Sequence, residues 1–269
     1  MLTDLSLDPT DVPPGRLVEA AIVAEDAGFD GVWLYDHVSG AALGGSSSQD
    51  PWPLLGAIAV STRRVTIGPL VANVTMRHPA HVAVASATLQ DLSGGRFWLG
   101  VGAGAGPESP FASEMSMTGQ EPRSAPVRRA MVADAIAAIR QLWSGGGELS
   151  NEHFPLSDAH GFPIPQPVPP IIVGANGPKM AELGGALADG VNLHSFEDDL
   201  PGLIATVRRA AAGGSTVITV EAPMEPEWLE GPSNGWLRDL GVDRLILAWH
   251  GAAVGIDAIE AAGRRIHHA

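Results

Sequence analysis

With 269 residues, of which 45% are hydrophobic and 17% charged, the chain is long enough for one large domain and can bury a substantial core. It contains no cysteine, which excludes disulfides, thiolate nucleophiles, iron–sulfur clusters and cysteine-based zinc sites, so redox chemistry would need a bound organic cofactor. A net charge of −14 without a dense lysine and arginine patch argues against nucleic acid as a partner.

Short β-prone runs alternate along the chain with longer alanine-rich amphipathic runs, a pattern typical of repeated βα units around a parallel sheet. Eight strands are predicted, at residues 3–7, 31–35, 65–70, 97–101, 170–173, 190–193, 216–221 and 244–248. Eight helices are predicted, at residues 14–27, 51–61, 79–92, 127–143, 179–186, 200–211, 227–240 and 256–266. We therefore expect an α/β protein with a single (β/α)8 TIM-barrel domain over residues 1–269. A doubly wound open sheet is the structural alternative.

Three longer segments interrupt this alternation and have the glycine, proline and serine content of loops. They cover residues 39–49, 102–126 and 144–169. The first two follow strands two and four, which places them at the catalytic face of a barrel, whereas the third follows a helix and is expected to cross partly to the opposite face. Met115, in the second loop, is predicted either to line an apolar substrate pocket or to pack in the interior.

Polar and small residues follow the predicted strands, and in a barrel all of these positions meet at one mouth. The candidates are Asp36 and His37 after strand two, Asn73 after strand three, Gly102 and Gly104 after strand four, His194 after strand six and His250 after strand eight. The glycine run at 100–106 is a weak nicotinamide-binding fingerprint because it does not open a first βαβ unit. It indicates instead a flat ring close to the backbone or a tight strand exit.

The turn after strand five is the most interpretable motif. It comprises Gly174, Ala175, Asn176, Gly177, Pro178 and Lys179. Pro178 stands where a helix would begin, so free backbone N–H groups at the helix N-terminus are expected to bind a phosphate. Lys179, the only lysine of the chain, stands where the helix dipole disfavours a cation unless an anion is nearby. The alternative is an ordinary turn with a solvated lysine.

Asp36 and His37 are the candidate pair for proton chemistry, because an imidazole oriented by a carboxylate can donate or accept a proton near neutral pH. The alternative is a histidine that only caps the strand. His194 and His250 are predicted on the substrate side, with a plain polar lining as the alternative. The nine histidines show no HExxH or comparable spacing, so no metal site is predicted.

These stretches together resemble the luciferase-like monooxygenase superfamily, especially its branch that depends on the deazaflavin coenzyme F420. The resemblance rests on residues 24–37, 62–68, 77–80, 92–104 and 169–190. After residue 195 the chain is shorter than is usual for the family and matches only at residues 240–244, so a shortened C-terminal part is expected. The resemblance implies a (β/α)8 barrel, usually dimeric, that holds coenzyme F420 or, alternatively, FMN in its mouth.

The resemblance also implies roles for individual positions. A non-prolyl cis peptide at Leu70–Val71 would back the ring of the cofactor, and Asp36 and Asn73 would contact the polar part of that ring. The turn at residues 174–178 would hold the phosphate, and His37 would donate or accept a proton beside the carbon that exchanges the hydride.

Two departures from the family pattern affect the expected substrate. Sugar-phosphate dehydrogenases of the deazaflavin branch carry an acidic catalytic residue where this chain has Ala105, and Glu108 is only a loose substitute. Their aromatic residue shortly after the Asp-His pair is replaced here by Ala41. Oxidation of a sugar phosphate is therefore not expected.

The expected function is that of an oxidoreductase that transfers a hydride between coenzyme F420 and a small organic substrate. The alternatives are an FMN-dependent luciferase-like monooxygenase and a barrel that binds a flavin or deazaflavin without catalysis.

No apolar stretch reaches the roughly 18 to 20 residues of a membrane span, and residues 1–10 lack the basic and apolar regions of a signal peptide. We therefore expect a cytoplasmic location and no membrane association, and the resemblance implies a homodimer whose partner is a small molecule.

Overall fold

A parallel sheet that curls around the molecule carries the fold, and the computed structural model describes it over residues 1–249 and 255–266. The strands are β1 (Leu2–Leu7), β2 (Gly31–Leu34), β3 (Thr66–Pro69), β4 (Ala72–Asn73), β5 (Leu99–Gly102), β6 (Gly147–Leu149), β7 (Leu156–Ala159), β8 (Ile171–Gly174), β9 (Gly190–His194), β10 (Val217–Pro223) and β11 (Arg244–Trp249). All of them except β6 and β7 belong to the curled sheet.

The sheet closes through its third predicted strand. The strand order is β3-β2-β1-β11-β10-β9-β8-β5-β4, so β3 and β4 stand at its two ends, yet only Leu70 and Val71 separate them in the chain. A parallel bridge between Ile67 and Phe97 joins β3 to the segment before β5. The predicted (β/α)8 barrel is therefore confirmed, with its third strand divided in two, and the open-sheet alternative is wrong.

The barrel strands are buried on both faces because side chains fill the interior and helices cover the outside. Every residue of β2 (GVWL) and of β11 (RLILAW) is buried. This burial explains why the strands read as continuous apolar runs rather than as alternating ones.

The helices are α1 (Pro14–Asp26), α2 (Pro51–Ser61), α3 (Pro79–Leu92), α4 (Ala112–Met117), α5 (Ala125–Trp143), α6 (Pro178–Leu187), α7 (Leu200–Ala210), α8 (Pro226–Leu229), α9 (Pro232–Asp239) and α10 (Ile256–Ile266). Proline opens several of them because its fixed φ suits the first helical turn and its missing N–H would be unpaired there in any case. Side chains complete some of these N-termini: Asp50 accepts from the backbone N–H of Trp52, and Asp199 accepts from that of Gly202. No helix within 1–249 and 255–266 has the length and apolar character that crossing a membrane requires.

Three predicted segments differ from the structure. The helix predicted at 227–240 is two helices, because Pro232 follows Gly231 and starts the new helix α9. The loop predicted at 102–126 contains the short helix α4. The loop predicted at 144–169 contains the antiparallel hairpin of β6 and β7, whose exposed residues give little hydrophobic alternation.

A buried ion pair lies inside the barrel, near the start of β1. The carboxylate of Asp4 accepts hydrogen bonds from Arg244 at 2.7 and 2.8 Å and from Nε1 of Trp33 at 2.9 Å. The guanidinium of Arg244 also lies 5.1 Å from the ring centre of Trp98. Asp4 is 0% exposed and Arg244 is 4% exposed, so each charge depends on the other for solvation.

Candidate active site

A cavity of about 930 Å³ opens at the carboxyl ends of the barrel strands. Its size is that of an ordinary cofactor or substrate pocket. On the side of β2, β4 and β5, the predicted site residues that line it are Asp36, His37, Leu70, Val71, Asn73, Gly102 and Gly104. On the side of β8 and β9, they are Gly174, Asn176, Gly177, Pro178, Lys179 and His194.

Three predicted site residues are placed differently. Ala175 is fully buried and does not line the cavity. Its backbone N–H donates to the carbonyl of Asn192, which ties the turn to β9. Met115 is 1% exposed and does not line the cavity, because α4 turns its thioether inward to within 4.0 Å of the Thr75 hydroxyl. The packing alternative is therefore correct for Met115. His250 lies outside the described residues.

His37 is held by a carboxylate that sequence reasoning missed. Its Nδ1 lies 3.0 Å from Oε2 of Glu114, and its ring stacks on Phe111 with 5.1 Å between ring centres. Oε1 of Glu114 accepts the backbone N–H groups of Val38 and Ser39 at 2.9 and 3.0 Å. With Nδ1 bound to a carboxylate, the geometry places the proton on Nδ1 and leaves Nε2 for a ligand in the cavity.

Glu114 is held in its ionised form. Burial alone would raise its pKa, but hydrogen bonds from His37 and from two backbone N–H groups outweigh burial and keep the pKa of Glu114 below its ordinary value. No sequence motif indicated this residue, because 77 positions separate it from His37 and only the folding of α4 over the mouth brings them together.

This arrangement predicts a contribution of Glu114 to acid resistance. Its depressed pKa means that ionised Glu114 stabilises the fold above its ordinary pKa of 4.5, and that this stabilisation is lost as the pH falls through the folded-state value. We expect Glu114→Gln to be less stable than the wild type at about pH 7, and the difference to shrink at an acidic pH below the folded-state pKa of Glu114, which is itself below 4.5. Urea unfolding at both pH values measures it, and a difference independent of pH would contradict the prediction.

The carboxylate of Asp36 links the loop after β2 to β4 and the segment that follows it. Both of its carboxylate oxygens accept from Arg77 at 2.8 to 3.0 Å, and Oδ2 accepts the backbone N–H of Asn73 at 3.2 Å. The Asp36 side chain is only 1% exposed, so mainly its backbone reaches the cavity. Its carboxylate is thus engaged with protein groups, and Asn73 is the better placed of the two to meet a ligand.

The predicted cis peptide at Leu70–Val71 is present and separates β3 from β4. The glycines of β5 and the following loop pack directly against this segment. A Cβ on Gly102 would overlap the side chain of Val71, and a Cβ on Gly104 would overlap that of Asn73. The glycine run therefore forms a tight strand exit, and the alternative, a flat ring close to its backbone, stays a prediction.

The turn after β8 presents the start of α6 to the cavity. Gly177 has φ +105°, a conformation that favours glycine, and no side chain caps the helix N-terminus in the part of the chain that the structure describes. Lys179, Arg128 and Arg129 line the same cavity. Burial, with a smaller contribution from the neighbouring Arg129, lowers the pKa of Arg128 below its ordinary value.

These features fit an anion. Among residues 1–249 and 255–266, no carboxylate forms an ion pair with Nζ of Lys179 or with the guanidinium of Arg129, although acidic residues outnumber basic ones 30 to 16 in the chain. The uncapped N–H groups of α6 and the cations around them can therefore bind a phosphate or another anion. In 1–249 and 255–266, no group of three or more histidines and carboxylates is arranged to hold a metal ion.

Comparison with known proteins agrees with this geometry. The family model described as luciferase-like monooxygenase matches residues 2–219. An F420-dependent glucose-6-phosphate dehydrogenase of Microbacterium testaceum is 34% identical over 69% of this chain and 54% of its own length. An F420-dependent hydroxymycolic acid dehydrogenase of Mycobacterium tuberculosis is 36% identical over 65% of this chain and 48% of its own length. The chain thus spans about half the length of the curated relatives it matches.

A solved structure extends the likeness to nearly the whole fold. An F420-dependent secondary alcohol dehydrogenase, in complex with an F420-acetone adduct, superposes with a TM-score of 0.81 and covers 98% of both chains. At 20% sequence identity this match shows the fold alone. The family model covers most of the chain, and the residues that it spans form most of the barrel and of its mouth. The chain belongs to the luciferase-like monooxygenase family.

Proposed function

We propose that the protein is an F420-dependent oxidoreductase that transfers a hydride between coenzyme F420 and a small organic substrate. One observation carries this proposal: a single cavity joins a positively charged, uncapped helix N-terminus at Gly177 to a carboxylate-held imidazole at His37. The helix N-terminus can bind a phosphate, and the imidazole can donate or accept a proton. With such a cofactor, the protein must supply both of these functions.

The residues around the cavity divide these tasks. The turn from Gly174 to Lys179 would hold the phosphate, while Leu70 and Val71 would support the ring and the Asn73 amide would meet its polar edge. Coenzyme F420, when bound, supplies the carbon that accepts or donates the hydride. His37 would donate or accept a proton at Nε2, and Glu114 would stabilise the imidazolium that forms.

The relatives do not fix the substrate. Their printed names include a glucose-6-phosphate dehydrogenase and a hydroxymycolic acid dehydrogenase, so the family model accommodates different substrates. We further propose that the chain acts in the cytoplasm as a homodimer of single-domain barrels, as the family resemblance implies, with a small molecule as its only ligand besides the cofactor. Light scattering after gel filtration measures the oligomeric state.

A pair of glycine variants tests where the cofactor binds. Gly177→Leu should weaken binding of oxidised coenzyme F420 by at least about tenfold, because a side chain at φ +105° would distort the turn and enter the phosphate site. Gly213→Leu is the matched control, since Gly213 also has positive φ and open space around a Cβ but lies between α7 and β10, outside the cavity lining. Quenching of cofactor fluorescence gives both affinities, and equal affinity in the two variants would contradict the proposed phosphate site.

A further inference from the structure

A second histidine–glutamate pair lies in the cavity, and the proposed function has not used it. Nδ1 of His194 lies 3.3 Å from Oε2 of Glu221, and the His194 ring stacks on Phe196 with 4.8 Å between centres and 15° between planes. This repeats the arrangement of His37, which also has a glutamate at Nδ1 and a phenylalanine against its ring.

Glu221 is fixed from the barrel interior. Its Oε1 accepts the hydroxyl of Ser6 at 3.1 Å and that of Tyr35, so residues of β1 and of the end of β2 both hold it. Burial and the Glu221 carboxylate raise the pKa of Tyr35 well above its ordinary value, so this hydroxyl keeps its proton and donates it. Because Oε1 is thus occupied, Oε2 is the oxygen that faces His194.

His194 is open to a ligand, whereas Glu221 is not. The His194 side chain is 25% exposed and the Glu221 side chain only 7%. Nδ1 is the ring nitrogen of His194 that lies beside Glu221, at ion-pair distance, so Nε2 is the nitrogen left for a group in the cavity. His194 is therefore placed to act as a general acid or base, with the buried carboxylate of Glu221 next to its other ring nitrogen.

The pair lies in the half of the mouth that the cofactor residues leave free. The cofactor contacts proposed above follow β2, β4, β5 and β8, whereas His194 ends β9 and Glu221 belongs to β10. Around this pair the described lining comprises Phe196, Ala222, Pro223 and Ala248 together with the polar Tyr35 and Asn192, and it contains no lysine or arginine. The three cations of the cavity follow β5 and β8. This half thus holds the buried carboxylate of Glu221 and largely uncharged walls without a cation, which favours an uncharged molecule over an anion.

We propose that His194, beside Glu221, exchanges the proton of the substrate oxygen, and that the substrate is an uncharged alcohol or the carbonyl compound formed from it. In the oxidation direction the substrate C–H bond breaks and its electron pair leaves as a hydride to the deazaflavin. The O–H bond breaks and its proton moves to Nε2 of His194, while the electron pair left on oxygen forms the C=O bond. This inference rests on the proposed function. It adds that His194, and not His37, takes the hydroxyl proton of the substrate, which leaves His37 to exchange a proton with the cofactor ring.

The test follows reduction of coenzyme F420 by its loss of absorbance, with 2-propanol, 2-octanol and cyclohexanol as neutral probes and glucose 6-phosphate as the anionic one. We expect turnover with at least one neutral alcohol and none with glucose 6-phosphate.

His194→Gln should lower kcat by about 10²–10⁴-fold, and Glu221→Gln should lower it less while changing the pH profile of kcat. His153→Gln is the matched control, because His153 also pairs with a carboxylate, that of Asp134 at 2.7 Å, but does not line the cavity.

Two further readouts do not depend on turnover. Fluorescence titration should show that His194→Gln binds coenzyme F420 as the wild type does. Long-range ¹H–¹⁵N spectra of the imidazoles should show the proton of His194 on Nδ1 in the wild type and a mixture of tautomers in Glu221→Gln. Normal cofactor binding without oxidation of any neutral alcohol, oxidation of glucose 6-phosphate, or full turnover in His194→Gln would overturn the inference and leave the cofactor proposal standing. Failure to bind coenzyme F420 would overturn both.

Discussion

Replacing His37 with glutamine is expected to lower turnover by about 10²–10⁴-fold while leaving the affinity for coenzyme F420 within a few-fold of the wild type. His37 is the titratable side chain that presents a free ring nitrogen on the proposed cofactor side, and Glu114 and Phe111 fix its orientation. Glutamine keeps a hydrogen-bonding group at this position but cannot carry a proton through the reaction. Steady-state kinetics give the first quantity, and quenching of cofactor fluorescence gives the second.

His81→Gln provides the control for this experiment. His81 is an exposed histidine on α3, away from the cavity lining, so its replacement should leave turnover and binding unchanged. An active His37→Gln enzyme would mean that another group moves the proton and that the Glu114 pair is only structural. A loss of cofactor binding equal to the loss of turnover would assign His37 to binding instead of catalysis.

Replacing Asp4 with leucine is expected to lower the free energy of unfolding by about 3–5 kcal/mol. The change leaves the guanidinium of Arg244 buried without its carboxylate and removes the acceptor of the Trp33 indole N–H. Urea unfolding followed by tryptophan fluorescence measures the loss, because Trp33 and Trp98 both lie beside the pair.

The double variant Asp4→Leu with Arg244→Met separates an unpaired charge from a simple loss of packing. Removing both charges should restore most of the stability, since a buried ion pair and an apolar pair of similar volume are often nearly equal in energy. Arg16→Ala is the surface control, because Arg16 and Glu19 form an exposed pair, for which changes under about 1 kcal/mol are usual. A double variant as unstable as Asp4→Leu alone would contradict this explanation.

The fold was predictable from the sequence because its signals are local. Buried strands with β-branched residues, prolines at helix starts and glycines at turns each act within a few residues, and together they define repeated βα units. The prediction was wrong where local signals compete. Residues 227–240 have helical composition throughout, but the Gly231-Pro232 step ends one helix and starts another.

The site was predictable only for residues that follow strands directly. His37, Asn73, His194 and the turn after β8 reach the cavity because the barrel brings all strand ends together. The partners of the histidines were not predictable in the same way. Glu114 reaches His37 through a helix inside a predicted loop, and Tyr35 reaches Glu221 across the barrel interior, so both contacts depend on long-range packing.

The cis peptide at Leu70–Val71 shows what a family resemblance adds to local reasoning. No composition or periodicity signal marks this bond, and it was expected only because the motifs around it resemble those of the family. The role expected for Asp36 shows the limit of that approach. Its position was correct, but Arg77 and the Asn73 backbone take up its carboxylate.

The central claim is that the cavity is built for a deazaflavin, and one measurement tests it most directly. The purified wild-type protein is titrated with oxidised coenzyme F420 and, separately, with FMN, and the quenching of cofactor fluorescence is followed. We predict binding of coenzyme F420 with a Kd of about 1 µM or tighter, equivalent to about −8 kcal/mol, and FMN binding at least about tenfold weaker. Equal or tighter binding of FMN would contradict the account and favour a flavin-dependent monooxygenase.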